Sequence, residues 1–248
     1  MRLPRPRNDP RQYHDLAGEW WRLDGPFAML HWLAEARARL VPPAAEPGAV
    51  LVDVGCGAGL LAPHLRDHGY HHVGVDLVPS ALEQAASHGV TPLVGDAAAI
   101  PLATASAHVV VAGELLEHVP DLPGTVAELC RVLRPGGLLL LDTLNDTAVS
   151  RVLAVHIAER MPRAPRGIHD PGLFVDPVRL TGLCAGHGVR LEVRGIRPSL
   201  PAVAGWLAGR SPRPGRRRIV PVASTAVLYQ GRGMKDPIAL PVAGGGKW

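Results

Sequence analysis

The stretch that most constrains this chain is Val50-Leu51-Val52-Asp53-Val54-Gly55-Cys56-Gly57-Ala58-Gly59. A short apolar run carries an acidic residue and then meets three glycines at alternate positions. Leu60 to His68 follows with helical spacing. This reads as a buried parallel strand, a tight turn and a helix. Glycine suits the turn because the backbone must reverse sharply and let a ligand come close. The start of a helix adds unpaired N–H groups and the positive end of its dipole. Spacing then separates ligand classes. A dinucleotide loop reads G-x-G-x-x-G and cradles a pyrophosphate. Here the order is D-x-G-x-G-x-G. The carboxylate of Asp53 beside such a loop repels a pyrophosphate and suits a ligand that brings positive charge. The plainer alternative is an ordinary glycine turn in an α/β protein.

The rest of the chain repeats the strand-then-acid pattern. Val73-Gly74-Val75-Asp76 reads as a second strand, and Pro79 to His88 as the next helix. Asp76 falls near the offset of about 20 residues at which an acid meets ribose hydroxyls in nucleotide-binding sheets. Thr91 to Gly95 reads as a third strand, followed by Asp96. In such folds an acid there faces an adenine amino group; the alternative is a cap or turn residue. His108 to Gly113 is a strongly apolar fourth strand, with Glu114 next. Leu122 to Leu133 reads as a helix, Pro135-Gly136-Gly137 as a turn, and Leu138 to Thr143 as a fifth strand. Val189 to Ile196 and Val222 to Gln230 complete seven strands. The order predicts an α/β fold with a doubly wound, mostly parallel sheet. Ligands sit at the carboxyl ends of such strands. Gly55, Asp76, Asp96 and Glu114 all fall there, which predicts one small-molecule site.

Around that core the sequence divides as follows. Residues 1–12 read as a flexible arm, 13–231 as a single domain and 232–248 as a flexible tail. Within the domain, 13–47 form a helical cap and linker, 48–143 the cofactor-binding core and 144–231 the substrate-side half. Tyr13 to Arg39 reads as helical and holds Trp20, Trp21, Phe27 and Trp32 in a chain with only 4% aromatic residues. Those rings either pack the helical layer onto the core or cap the pocket, and the two roles are compatible. Ala148 to Met161 and Pro177 to His187 read as helices, and Arg197 to Pro221 as a long surface excursion.

Composition narrows the class. At 248 residues and 47% hydrophobic content the chain can bury one α/β core. No apolar run approaches the roughly 20 residues that span a bilayer. The N-terminus is basic without an apolar h-region, so a cytoplasmic protein is expected. Cys56, Cys130 and Cys184 are too few and too scattered for a disulfide framework or a zinc cluster. The net charge of +4 comes from arginine far more than lysine. There is no RNA-binding signature with interleaved aromatics, so nucleic acid is not an expected partner.

The acidic glycine loop resembles motif I of the class I S-adenosylmethionine-dependent methyltransferases, whose cofactor brings sulfonium and amino groups. A closer resemblance is to the O-methyltransferase family of ubiquinone biosynthesis, which methylates polyprenylated catechols and related hydroxyarenes. It covers roughly Tyr13 to Ile196. Ala17-Gly18-Glu19-Trp20-Trp21, Asp24-Gly25-Pro26-Phe27 and Leu30-His31 match early. Glu114-Leu115-Leu116-Glu117-His118-Val119-Pro120-Asp121 matches the central motif. Thr143-Leu144-Asn145 and Gly167-Ile168-His169-Asp170, with Phe174, Pro177 and Leu180, match late.

The resemblance implies cofactor contacts at Arg37, Gly55, Asp76 and Gly113. With the acidic loop and the adenine-side acid, the expected cofactor set is Arg37, Asp53, Gly55, Gly57, Gly59, Asp76, Asp96 and Gly113. The resemblance also implies a divalent cation, usually magnesium, on Glu114, Glu117 and His118. Two carboxylates on one helical face suit such an ion. Imidazole is a less usual magnesium ligand, so His118 is also the candidate general base, with or without a metal. His169 is a substrate-side candidate or a loop hydrogen-bond partner. Ala34-Glu35 replaces the family's Asn-Pro before Arg37, and Gly113 stands where methionine is common. The expected partner is a small aromatic acceptor. The segment 148–166 is expected to make a weak peripheral membrane contact, at the inner face, or else to pack on the sheet. An N- or C-methyltransferase and a non-catalytic cofactor-binding protein stay open as alternatives. The sequence sets no oligomeric state.

Overall fold

The computed structural model describes residues 5–210 and 217–237. They build one sheet of eight strands in the order β3-β2-β1-β4-β5-β8-β6-β7. The strands are β1 Val50–Val54, β2 His71–Asp76, β3 Thr91–Val94, β4 Ala107–Gly113, β5 Leu133–Leu144, β6 Val189–Pro198, β7 Ile219–Val222 and β8 Leu228–Lys235. β1 to β5 pair in parallel. β8 runs antiparallel between β5 and β6, and β7 pairs antiparallel with β6.

The apolar runs of β1, β4 and β5 are buried on both faces, as parallel strands between two helical layers must be. Alternation divides them. Val52, Val54, Val110, Leu139 and Leu141 pack towards α5 (Leu122–Val132) and α7 (Pro177–Gly186). Leu51, Val109, Val111, Leu138 and Leu140 pack on the other face with Leu61 and Leu65, around α3 (Ala62–Leu65), and with Ala38 at the end of α2 (Ala28–Ala38). Asp121 and Asp176 cap α5 and α7 by accepting from Gly124 N and Arg179 N.

The expected α/β architecture is present, with differences that have physical causes. The sheet has eight strands, not seven. The added strand, β7, lies in the stretch read as a surface excursion, which also holds α8 (Leu200–Leu207). β7 contains Pro221, and an edge strand is where proline is tolerated. The last strand begins later than expected and runs through Arg232 to Lys235, so the tail does not start at 232. Gly233 falls in the expected tail and Gly231 just before it, yet added Cβ atoms at Gly231 and Gly233 would meet Leu141 Cδ1 at 2.8 Å and Val189 Cγ1 at 2.9 Å. Large neighbours fill the space the glycines leave. Residues 238–248 lie outside the described residues.

The N-terminal layer is not one helix. It breaks into α1 (Arg11–Asp15), a short turn at Ala17–Glu19, and α2, with Gly25-Pro26 between. The helix expected after the glycine loop shrinks to the single turn of α3. Between them come α4 (Pro79–Ser87) and, later, α6 (Ala148–Arg151), which continues as a π-helical stretch and a last 3₁₀ turn to Arg160. The stretch read as a flexible arm is fastened from Arg5 onward. Arg5 pairs with Asp15 at 2.6 Å and Arg7 with Glu159 at 2.7 Å, while Asn8 N donates to Gly167 O at 3.0 Å. Glu159 and Gly167 lie far along the chain, where no local pattern could announce them.

Candidate active site

Gly55, Gly57 and Gly59 all take the left-handed conformation, with φ of +71°, +52° and +78°. A β-carbon at Gly57 would stand 2.7 Å from the ring of Trp20, and one at Gly59 would press on the α4 backbone at Ala85, 3.0 Å away. The loop therefore admits only glycine, for conformation and for space. Asp76 closes it from the end of β2. Its Oδ2 accepts from Gly57 N at 2.8 Å and its Oδ1 from Val78 N at 2.9 Å. Burial raises the Asp76 pKa, while those N–H groups pull it down. Asp53 is buried on β1, with His72 Nε2 3.6 Å away. Asp96 is exposed and accepts from Ala98 N at 2.9 Å, so it does shape a turn, and it also lines the cavity. This set of acids, glycine backbone and no lysine fits a cationic, ribose-bearing cofactor of the S-adenosylmethionine kind.

Arg37 reaches the site from α2, but its first partner is a residue the sequence reading passed over. Its Nε and Nη2 donate to Asp142 Oδ2 and Oδ1, each at 2.7 Å. Both residues are buried. Burial works against the charge on Arg37, and the charge and hydrogen bonds of Asp142 restore it. Gly113 explains how the guanidinium fits, since a β-carbon there would lie 1.8 Å from Arg37 Cζ. Glycine at 113 is what lets this arginine cross the strand end. Asp142 had a signal of its own: an acid at the end of the Leu138–Leu141 run, where a buried charge needs a partner.

Glu114, Glu117 and His118 do not come together as a metal site. Glu114 has φ of +52°, and Leu116–His118 is a 3₁₀ turn, so the shared helical face is lost. Glu117 is fully buried and accepts from Thr143 Oγ1 at 2.7 Å. Burial, with the charges of Glu117 and Asp142, pushes the Glu114 pKa far above the ordinary carboxyl range, and burial pushes that of Glu117 up to about 7. Each keeps one buried oxygen without a partner. The ring nitrogens of His118 go elsewhere, to Asn8 Oδ1 at 2.6 Å and to Tyr13 Oη at 3.3 Å. Among the described residues, no three His, Cys, Asp or Glu side chains are placed to hold a metal. The residues do not fit a magnesium ion in this arrangement, and no step below uses one.

His118 and His169 stack with ring centroids 5.5 Å apart. His169 Nδ1 lies 3.2 Å from Glu159 Oε1. Tyr13, Trp20 and Phe27 form an aromatic stack over the glycine loop, Trp20 and Phe27 being 4.2 Å apart. The N-terminal layer thus both packs and caps. All these groups line one cavity of about 1000 Å³. Its lining includes Gly55, Asp76 and Asp96, the two histidines, and the apolar side chains of Leu153, Ile157, Met161, Ile196 and Trp206. Asn8, Tyr13, Asp142 and Glu159 are the site residues that sequence reading missed. Asn8 and Glu159 carry no local signal; they become site residues only when the N-terminal segment meets His118 and Glu159.

Residues 52–141 match the family described as a methyltransferase domain. The ubiquinone biosynthesis O-methyltransferase of Xanthomonas axonopodis pv. citri is 36% identical over 188 residues, covering 71% of this chain and 78% of that protein. The enzyme of the same name from Paraburkholderia phymatum is 36% identical over 197 residues, 75% of this chain and 84% of that protein. Among solved structures, a Thermotoga maritima S-adenosylmethionine-dependent methyltransferase, titled a possible histamine N-methyltransferase, superposes with a TM-score of 0.63 at 17% identity, over 91% of this chain and all of that one. A Haemonchus contortus N-methyltransferase, in complex with phosphomonomethylethanolamine and S-adenosylhomocysteine, gives 0.59 at 15%, over 91% of this chain and 60% of that one. The solved structures share the fold with this chain. The relatives match most of its length at more than 30% identity, and on their strength the chain belongs to the ubiquinone biosynthesis O-methyltransferase family of S-adenosylmethionine-dependent methyltransferases.

Proposed function

We propose that this methyltransferase transfers the methyl group of S-adenosylmethionine to a hydroxyl of a catechol- or quinol-like aromatic acceptor with an apolar, polyprenyl-type substituent. The observation that carries the reading is the mixed lining of one cavity. It combines acids and glycine backbone, two histidines and many apolar side chains. The name shared by the curated relatives points the same way.

In this reading Asp76 accepts from the ribose hydroxyls, and Asp96 faces the adenine. The Gly55–Gly59 turn lets the methionine portion lie against backbone, with Asp53 nearby. Arg37 donates to Asp142 through Nε and Nη2, and its remaining Nη1 is left for the cofactor carboxylate. The bound cofactor supplies a methyl on a positively charged sulfur, which is already a good leaving group. The protein then contributes mainly proximity and alignment. Tyr13, Trp20 and Phe27 exclude water above the loop. His118 lies at the acceptor edge behind Tyr13, and acting as a base would require it to give up the Tyr13 hydroxyl.

The same reading puts the enzyme in the cytoplasm with weak contact to the inner membrane face. No helix among the described residues is long and apolar enough to cross a membrane. Val149, Val152, Leu153 and Ile157 are 40–53% exposed, beside Arg151 and Arg160. Leu153 and Ile157 also line the cavity, so this apolar patch adjoins the path of a lipid-tailed acceptor. Retention on anionic vesicles at low salt is expected; no sedimentation with them would end the membrane part of the proposal.

The acceptor is tested with methyl-labelled S-adenosylmethionine and a panel of catechols, monophenols and amines, each with magnesium and with EDTA. Label in a catechol or quinol ether, insensitive to EDTA, is the expected result. Label in amines alone would overturn the acceptor class.

A further inference from the structure

The two stacked histidines have opposite surroundings. His118 has both ring nitrogens engaged. Asn8 Nδ2 donates to the His118 carbonyl at 2.9 Å, which turns Asn8 Oδ1 to the ring, so Nδ1–H donates and Nε2 accepts from Tyr13. Burial, with His169 alongside, holds the His118 pKa down at about 3.

His169 is arranged to take a proton. Glu159 Oε2 accepts from Arg7 Nη2 at 2.7 Å and from Gly167 N at 2.9 Å, and its Oε1 accepts from His169 N at 3.2 Å. Burial raises the Glu159 pKa, but these bonds and the one from the His169 ring outweigh it and take it to about 2. An ionised carboxylate only accepts, so His169 must present Nδ1–H to it. The lone pair is then on Nε2. Among the described residues nothing hydrogen-bonds that nitrogen, and His169 lines the cavity. A carboxylate behind a histidine fixes its tautomer and stabilises the imidazolium that forms when the far nitrogen gains a proton. Arg7 clamps the pair from outside, its Nε donating to the His169 carbonyl at 2.7 Å. The other rings facing His169 are His118 and the edge of Phe174.

We propose that His169, oriented by Glu159, is the general base of the methyl transfer, with Arg7 a positioning residue for the pair. The assignment rests on the hydroxyl-acceptor reading above. The acceptor O–H bond breaks, its proton goes to His169 Nε2, and the electron pair stays on oxygen. That oxygen forms the new bond to the methyl carbon as the carbon–sulfur bond breaks, its pair remaining on sulfur. The products are the aryl methyl ether and S-adenosylhomocysteine, and the proton on Nε2 is released to water.

The experiment compares wild type, His169→Gln and Glu159→Gln on a plain catechol and on a nitrocatechol already ionised at the assay pH. S-adenosylhomocysteine binding, measured by calorimetry, checks the fold of each variant. His169→Gln is expected to lose about 100-fold in kcat on the plain catechol and less than roughly 5-fold on the ionised one. The limb by which kcat/KM rises with pH should vanish. Glu159→Gln should lower kcat on the plain catechol more than on the ionised one, because the imidazolium loses its counter-charge. Activity of His169→Gln within about 3-fold of wild type on the plain catechol would overturn the assignment. So would an equal loss on both acceptors with the limb intact, which is what a merely structural role would give. A wild type that methylates no phenol would remove the acceptor reading first and this assignment with it.

Discussion

From Val50 to Leu144 the five strands pair in parallel with one another, and the candidate cofactor residues of that span stand within a few positions of a strand end. From Asn145 to Lys235 the strands are antiparallel, and the groups facing the acceptor are gathered from remote segments. Arg7 meets Glu159, Asn8 meets His118, and Trp206 Nε1 donates to Gly25 O at 3.2 Å. The first region builds its site by local geometry, because the carboxyl ends of parallel strands converge on one edge. The second builds its site by closure of the chain ends. A change in the first should therefore damage stability or cofactor binding, and a change in the second should affect turnover while cofactor binding holds.

The harshest test of the first half is Gly113→Met. The new side chain must expel the Arg37 guanidinium and leave Asp142 buried without its partner. A loss of about 3–5 kcal/mol is expected in urea unfolding at neutral pH. Wild-type stability would mean that the Arg37–Asp142 pair is not what ties α2 to the sheet.

Glu117→Gln works in the opposite direction. The Glu117 carboxyl holds its proton up to about pH 7 in the fold, against 4.5 ordinarily. Between those values the unfolded chain has lost the proton and the native state has not. Wild-type stability therefore falls as pH rises through that window and stays reduced above it. Glutamine keeps an oxygen for Thr143 and removes the titration. The variant should be more stable than wild type at pH 8, by up to roughly 3 kcal/mol, and should show no gain at pH 4. Added magnesium should leave both melting temperatures unchanged; a rise confined to wild type would restore the cation on this acid.

Asp76→Ala should weaken S-adenosylhomocysteine binding by about 30-fold, close to 2 kcal/mol, through lost hydrogen bonds and a looser Gly57 turn. Calorimetry measures it directly, and unchanged affinity would take the ribose away from this acid. Arg7→Ala probes the other half. It removes one of the donors to Glu159 from a partly exposed arginine, so a fall of about 5-fold in kcat, near 1 kcal/mol, is expected with cofactor affinity intact. A matching loss in cofactor affinity would erase the contrast between the halves. The smallest effect on the fold is that of Val152→Ser, an exposed site expected to change stability by less than about 0.5 kcal/mol while lowering vesicle retention.

The legible part of the molecule was the part whose physics is periodic. The strands at Val50, Val73 and His108, the three positive-φ glycines and the acids after each strand all follow from alternation, turn chemistry and the topology of parallel sheets. Those rules act over a few residues, so the sequence by itself determined the cofactor half and the class of its ligand. Tertiary structure decided the rest. It kept Glu114, Glu117 and His118 off one shared helical face, because a left-handed residue and a 3₁₀ turn replaced the expected helix. It placed Gly231 and Gly233 inside the sheet, because Leu141, Leu191 and Val189 fill the space beside them. It brought Arg7 and Asn8 across to Glu159 and His118, and so separated a histidine already hydrogen-bonded on both sides from one with a free nitrogen. A local pattern cannot encode such contacts. Their free energy comes from groups more than a hundred residues apart, and it is realised only once the fold brings Arg7 and Asn8 to Glu159 and His118.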